Sequence, residues 1–341
     1  MMMPPTQIKS EQKPLSLGFL GLGWIGRNRM KALLNNTASE ATMIREPIPE
    51  NVEQALVHCK DATISTSSAE MFQNKELDGI VIATPSAMHA QQSIEALQSG
   101  KAVFCQKPLG RTASEVKKII AASLEANKLL TVDFSYRYTE ALQTIHRLIQ
   151  NKELGNIYNV NLVFHNAYGP DKTWFYDRNK SGGGCVMDLG IHLIDLAMWV
   201  LGFPKIENLQ SHLFYQGEKF PSGENQVEDF AHVSMTSEHG TLINLQCSWN
   251  VSAGKDAVIE ATFYGTQASA SFKNIQGSFY DFIAEKYTGT QAEVLVTPPD
   301  EWGGRAATAW AESVQSGNGY DHKSAEEYVK VAQIIDMIYG R

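Results

Sequence analysis

Cysteine is scarce in this chain. Cys59, Cys105, Cys185 and Cys247 lie far apart in 341 residues, without a CxxC pair. That spacing excludes a disulfide scaffold and the usual zinc modules, and it predicts reduced, buried thiols and no bound metal. Positive charge is also in deficit: 29 Lys and Arg stand against 37 Asp and Glu, a formal net charge of -8, with no basic block anywhere. A binder of nucleic-acid backbones needs the opposite balance, so no nucleic-acid partner is expected. No run of about eighteen uncharged apolar residues stands out, and the opening "MMMPPTQIKSEQKP" lacks the apolar core of a signal peptide. The reading is a cytoplasmic protein without a membrane partner, led by a loose tail over residues 1–14. Internal repeats and low-complexity tracts are absent as well.

What is present is ordinary globular material. Hydrophobic residues make up 43 % and charged residues 19 %, enough to bury sizeable cores, and the length exceeds what one core usually supports, so two domains are expected. From residue 15, short apolar runs alternate with helical patterns: "LSLGFLG", "WIGRNRMKALLNN", "ATMI", "NVEQALVHC", "GIVIAT", "MHAQQSIEALQSG", "AVFC", "SEVKKIIAASLEANK" and "LLTVDF". Such alternation requires crossover connections, hence a doubly wound parallel sheet over residues 15–135. After a linking helix the pattern changes to closely spaced strands, interrupted by one strong helix at "GGGCVMDLGIHLIDLAMWVLG". Residues 136–300 read as an α+β substrate and oligomerisation domain on one large, open, mainly antiparallel sheet. Residues 301–341 read as helices returning to the first domain.

"GLGWIG" follows a strand and opens a helix. In that context Gly21 permits the tight turn, Gly23 lets a pyrophosphate approach the backbone, and Gly26 lets helix and strand pack closely; Trp24 and Ile25 complete the turn. A dinucleotide is the cofactor this predicts. Glu46, at the end of the second strand, suits the ribose hydroxyls of NAD and repels a 2'-phosphate, whereas Arg45 beside it suits the phosphate of NADP. NAD is the favoured reading, with NADP open. Thr84 and Pro85 end the strand after the crossover, at the edge where ligands bind, and His89 in the next helix is a candidate to face the cofactor. Gln106 and Lys107 end the following strand, in "AVFCQKPLG". Lysine resists burial, so Lys107 at that edge reads as a group directed into the cleft. In the second domain Asp188, His192 and Asp195 recur at i, i+4 and i+7, one helical face, with the glycines at 182–184 leaving room near its start. A carboxylate one turn from an imidazole orients the ring for proton exchange, while a merely polar face with Asp195 in a structural pair is the competing reading.

"GLGWIG", the lysine-proline pair at 107 and 108, "SYRY" and "GGGCVMDLGIHLIDL" together resemble, in order and spacing, the glucose-fructose oxidoreductase, inositol dehydrogenase and MocA group (Gfo/Idh/MocA). The resemblance implies a Rossmann domain joined to an open-sheet domain that commonly forms dimers or tetramers. It also implies hydride transfer between NAD or NADP and a sugar, cyclitol or related alcohol. By position, Lys107 matches the family's catalytic lysine, Asp188 its binding and orienting aspartate, and His192 its acid/base histidine. Gln106 departs from the usual glutamate, which removes a charge beside Lys107.

The resulting expectation is an NAD(P)-dependent dehydrogenase or reductase acting on CH–OH groups of a sugar, cyclitol or polyol. His192 is the base, oriented by Asp188, and Lys107 stabilises the developing alkoxide, with the two roles exchangeable. "FSYRYTE" and "FHNAYGPDKTWFYD" supply the candidate substrate contacts Tyr136, Arg137, His165, Tyr168, Lys172 and Trp174. Two alternatives stay open: a noncatalytic dinucleotide sensor of the same fold, and a reductase of a non-sugar carbonyl or a dihydrodiol.

Overall fold

The computed structural model describes residues 13–220 and 226–341; most of the expected 1–14 tail lies outside them. Six parallel strands, β1 (Leu15–Leu20), β2 (Ser39–Arg45), β3 (Thr63–Ile64), β4 (Gly79–Ile82), β5 (Ala102–Cys105) and β6 (Leu130–Val132), form a sheet in the order β3-β2-β1-β4-β5-β6. Helices α1 (Trp24–Asn36), α2 (Pro49–Leu56), α3 (Ser68–Gln73), α4 (Ser86–Gln98) and α5 (Ala113–Ala126) make the crossovers. β1, β4 and β5 are buried at every position, as parallel strands covered on both faces must be. The strand order reverses between β1 and β4, so a crevice opens at their carboxyl ends.

The second sheet has nine strands. They are β7 (Ile157–Asn166), β8 (Ile206–Tyr215), β9 (Glu218–Lys219), β10 (Phe230–Ser237), β11 (Leu242–Ser248), β12 (Ala257–Gly265), β13 (Ser269–Asn274), β14 (Phe282–Thr288) and β15 (Gln291–Val296). Their order is β15-β14-β13-β12-β7-β11-β10-β8-β9, antiparallel except for the β7–β11 pair. Along β10 buried and half-buried residues alternate strictly, the signature of a sheet with one face in the core and the other free of helices. Between α6 (Glu140–Gln150) and the sheet, and around α8 (Ile191–Leu201), lies the larger apolar core.

A short turn of helix, α7 (Arg178–Ser181), and a π-helical turn at Val186–Gly190 precede α8. The continuous run Arg178–Leu201 is long and apolar enough to cross a membrane by length and composition, although Asp188 and Asp195 keep it from being an uncharged apolar stretch. Yet 78 % of its most apolar window is buried inside the protein, where its side chains serve the core. Two C-terminal helices follow, α9 (Arg305–Gln315) and α10 (His322–Tyr339). α9 packs on the parallel sheet: the Trp310 ring meets Phe104 at 5.8 Å, and a Cβ on Gly79 would come within 2.8 Å of it.

Arg137 was expected at the substrate. It instead ties these parts together, its guanidinium donating to Asp195 at 2.6 and 2.9 Å and to Glu327 of α10 at 2.6 Å. Asp195 therefore belongs to this structural pair and not to a catalytic face. Burial pushes its carboxyl up to about 6 despite the opposing pull of Arg137. Removing the guanidinium leaves two buried carboxylates uncompensated, so Arg137→Ala should lose about 3–5 kcal/mol in a denaturant melt at pH 7.

Candidate active site

A cleft of about 990 Å³ runs along the carboxyl edge of the parallel sheet and continues against the second sheet's domain. One end is formed by the glycine turn. Gly21 adopts φ +83°, which a side chain rarely tolerates, and a Cβ on Gly26 would fall 2.1 Å from Gly21 O. Gly23 lines the cleft, and a Cβ on it would meet nothing within 4 Å, so the space beside it is open. No side chain caps α1, so its first amides remain open toward this space. Bare amides, a positive helix end and a glycine-lined hollow fit a pyrophosphate.

Trp24, Ile25, Arg45, Thr84 and Pro85 line the same cleft. Glu46 lines it too, but its carboxylate is turned partly inward: it accepts from Leu22 N–H at 2.6 Å and Ile48 N–H at 3.0 Å. A carboxylate has about four acceptor positions, so two remain for ribose hydroxyls. His89 lines the cleft as well. It is 1 % exposed, and its ring nitrogens lie 2.7 Å from Pro108 O and 2.7 Å from Thr84 O. The imidazole thus sits between the ends of β4 and β5 at the wall of the cleft.

Lys107, Asp188 and His192 line the cleft away from the glycine turn. Each is half-buried while its immediate neighbours are buried, the pattern of groups turned into a cleft. Lys107 Nζ donates to Asp188 Oδ1 at 2.9 Å and to Asp188 O at 2.7 Å. Trp249 Nε1 donates to the other carboxylate oxygen at 3.1 Å. Asp188 therefore orients the lysine. Asp188 and His192 do share the cleft-facing side, across the π-helical turn at Val186–Gly190 closed by Ile191 N–H to Val186 O, but no hydrogen bond joins them: the Asp188 carboxylate is taken by Lys107 and Trp249. The imidazole packs instead edge-on to Tyr136, with centroids 4.9 Å apart. Burial first, and then the charges of Lys107 and Arg29, hold His192 well below the ordinary histidine range; it is a neutral imidazole at pH 7.

Several residues that local sequence could not reveal complete the site. Gln106 donates to Asp133, whose carboxylate also takes Arg29 Nε at 2.6 Å, and Arg29 donates to Ser135 at 2.9 Å. Arg29, Asp133 and Gln106 all line the cleft. Glu228 accepts from Gly184 N–H and Val186 N–H at 3.0 Å and from the Tyr339 hydroxyl at 2.8 Å, anchoring the segment that carries Asp188. The glycines at 183 and 184 do not leave room; Cβ atoms there would lie 2.0 Å from Tyr339 and 1.8 Å from Glu228.

Of the expected substrate contacts, Tyr136, Lys172 and Trp174 line the cleft. His165 does not: it hydrogen-bonds Ser248 at 2.7 Å and stacks on Phe230 on the sheet. Tyr168 also lies outside the lining, 52 % exposed and tilted against Phe279 at 6.4 Å. Both had been placed by proximity in sequence to β7; His165 lies on that strand, whose alternation turns adjacent residues to opposite faces, and Tyr168 lies in the loop beyond its end.

Comparison with known proteins agrees with this architecture. Residues 15–134 match an "Oxidoreductase family, NAD-binding Rossmann fold" and residues 142–271 the "GFO/IDH/MocA C-terminal domain". D-glucoside 3-dehydrogenase of Escherichia coli is 26 % identical over 229 residues, which are 64 % of this chain and 62 % of that protein's length. Inositol 2-dehydrogenase 1 of Paenarthrobacter aurescens is 23 % identical over 94 % of this chain and 96 % of its own. Among solved structures, a levoglucosan dehydrogenase with NADH and levoglucosan superposes at TM-score 0.81, with 20 % identity over 95 % of this chain and 96 % of the other. A 3-ketoreductase from Actinomadura kijaniata with NADP and TDP-benzene gives 0.81 at 18 %, over 95 % and 97 %.

Proposed function

The chain belongs to the Gfo/Idh/MocA oxidoreductases, and we propose that it is an NAD-dependent dehydrogenase that oxidises a secondary hydroxyl of a sugar, cyclitol or related polyol, reversibly. The observation that carries this reading is the convergence of Lys107, Asp188 and His192 in the cleft that the glycine turn opens. A bound nicotinamide would accept hydride at C4; the protein's share is alignment and proton handling. His192, neutral and desolvated, takes the hydroxyl proton at a ring nitrogen. Lys107 donates a hydrogen bond to the same oxygen and stabilises its developing negative charge. Asp188, fixed by Trp249, keeps the ammonium aimed there. A sensor would have no use for this set of groups.

The test is a cofactor-coupled absorbance screen of polyols, sugars and keto sugars, run with NAD and NADP in parallel. Turnover of at least one sugar or cyclitol is expected; none with either cofactor rejects the reading. Glu46, preorganised by two amides, supports NAD over NADP. Glu46→Ala should lower the NAD-to-NADP ratio of kcat/KM by about tenfold, the value of one lost charge-assisted hydrogen bond. An unchanged ratio transfers the selection to other groups around Arg45.

The open face of the nine-stranded sheet supports a homodimer or homotetramer. Sedimentation should give a species of at least twice the 37.7 kDa chain mass, and a monomer at micromolar concentration contradicts it. Four free, buried cysteines support a reducing, cytoplasmic setting.

A further inference from the structure

The residues at the end of α10 touch both of the segments that meet at Lys107 and Asp188. One segment is the loop 106–112 between β5 and α5, which carries Lys107; the other is the glycine run 182–184, which leads into the turn that carries Asp188. Arg341, just past α10, donates to both, to Arg111 O at 2.6 Å and to Gly182 O at 3.1 Å. Asp336 holds the same guanidinium, accepting from its Nε at 3.1 Å, and its other oxygen accepts from Ala113 N–H at 2.9 Å at the start of α5. The guanidinium lies over the Tyr339 ring, 4.7 Å from its centroid. The Tyr339 hydroxyl donates to Glu228 at 2.8 Å, and that carboxylate takes the amides of Gly184 and Val186.

Glu228 is 1 % exposed, and Tyr339 is the one side-chain donor it has among the described residues. Burial, and then the charge of Glu228, push the Tyr339 phenol well above its ordinary range, so the hydroxyl remains a donor. Removing it leaves a buried carboxylate with fewer partners and the glycine run with a weaker anchor. Asp336, Tyr339 and Arg341 do not line the cleft, so they reach its chemistry only through the segments they hold. Lys107 and Asp188 come from different sheets' domains, and their contact at 2.9 Å is only as well placed as those two segments.

We propose, building on the dehydrogenase reading above, that Tyr339 and Arg341 are positioning residues, which fix the loop 106–112 and the glycine run relative to each other and so hold Lys107 against Asp188 at the reacting oxygen.

The test joins hydrogen exchange to kinetics on the full chain. In the enzyme–NADH complex, Tyr339→Phe and Arg341→Ala should each speed amide exchange over residues 182–188 by about tenfold, with β7, β11 and β12 exchanging as in the wild type. On a substrate from the screen, kcat should fall about tenfold, the effect of a displacement well under 1 Å at the reacting groups, while NADH affinity stays within about twofold. The acid limb of kcat/KM should move to higher pH, because the ammonium that disfavours protonation of His192 is displaced. A mere loss of folded protein would lower kcat without moving that limb. Arg341→Lys, which keeps a cation in reach of one carbonyl, should recover part of the rate. Exchange that rises throughout the chain, an unmoved acid limb, or wild-type kcat in both variants overturns the proposal. Faster exchange confined to 182–188, in a protein whose wild type turns over no sugar with either cofactor, leaves the positioning standing and refutes the dehydrogenase reading. Unchanged exchange and wild-type kcat in an active dehydrogenase do the reverse.

Discussion

Replacing His192 with alanine should lower kcat by about a hundred- to ten-thousandfold, the usual contribution of a positioned general base. Binding of NADH, followed by its fluorescence, should stay within about twofold, because the residue touches the reacting end and not the glycine turn. The pH profile supplies the second readout. Burial and the nearby cations lower the folded-state pKa of this imidazole below its ordinary 6.5. The base form thus persists to lower pH than in a free histidine, and the acid limb of kcat/KM in the oxidative direction should lie below pH 6.5. His192→Ala should abolish that limb. A limb that survives unchanged assigns the proton transfer elsewhere.

Lys107→Met removes the ammonium that bonds the reacting oxygen, and kcat should fall by about a hundred- to a thousandfold, the cost of losing one preorganised donor at a developing oxyanion. The same substitution acts on His192 through charge. Lys107 is one of the cations that disfavour the imidazolium, so its removal raises the histidine pKa and moves the acid limb to higher pH. A residue serving only to hold Asp188 in place would lower kcat without moving the limb in that direction. Recovery of part of the rate in Lys107→Arg, which keeps a cation with hydrogen-bond donors, further separates charge from packing.

The parallel half of the molecule was legible because its signals are local. The apolar β1, the glycine turn and α1 occur consecutively at residues 15–36, and each restricts the next. β3 escaped notice: it is two residues long and both are exposed. β8 is also hard to read from sequence. β8 carries Asn208, Gln210 and His212 among its apolar residues, and polar side chains on the helix-free face of a sheet weaken the apolar signal of a strand. At the site, Lys107 and the helix bearing Asp188 and His192 could be found from strand-end position and residue type. Their true pairing could not, because the partners of Asp188, Lys107 and Trp249, lie 81 and 61 residues away in the chain.

Arg29 and Asp133 are 104 residues apart, and charged groups buried by mutual pairing read in sequence as surface groups. The same limitation misassigned Arg137, whose partners Asp195 and Glu327 lie 58 and 190 residues away. An ion pair becomes visible only when the chain has brought both members together. His89 was readable from its place at a ligand edge, and it does line the cleft, but its short contacts to the Thr84 and Pro108 carbonyls were not.

The most direct measurement is a crystal structure of the complex with NADH and a sugar that the screen identifies. The account predicts nicotinamide C4 within about 3–3.5 Å of the reacting carbon, with Lys107 Nζ and a ring nitrogen of His192 both in hydrogen-bond range of the oxygen on that carbon. A nicotinamide ring directed away from Lys107, or a sugar oxygen contacted by neither group, would contradict it.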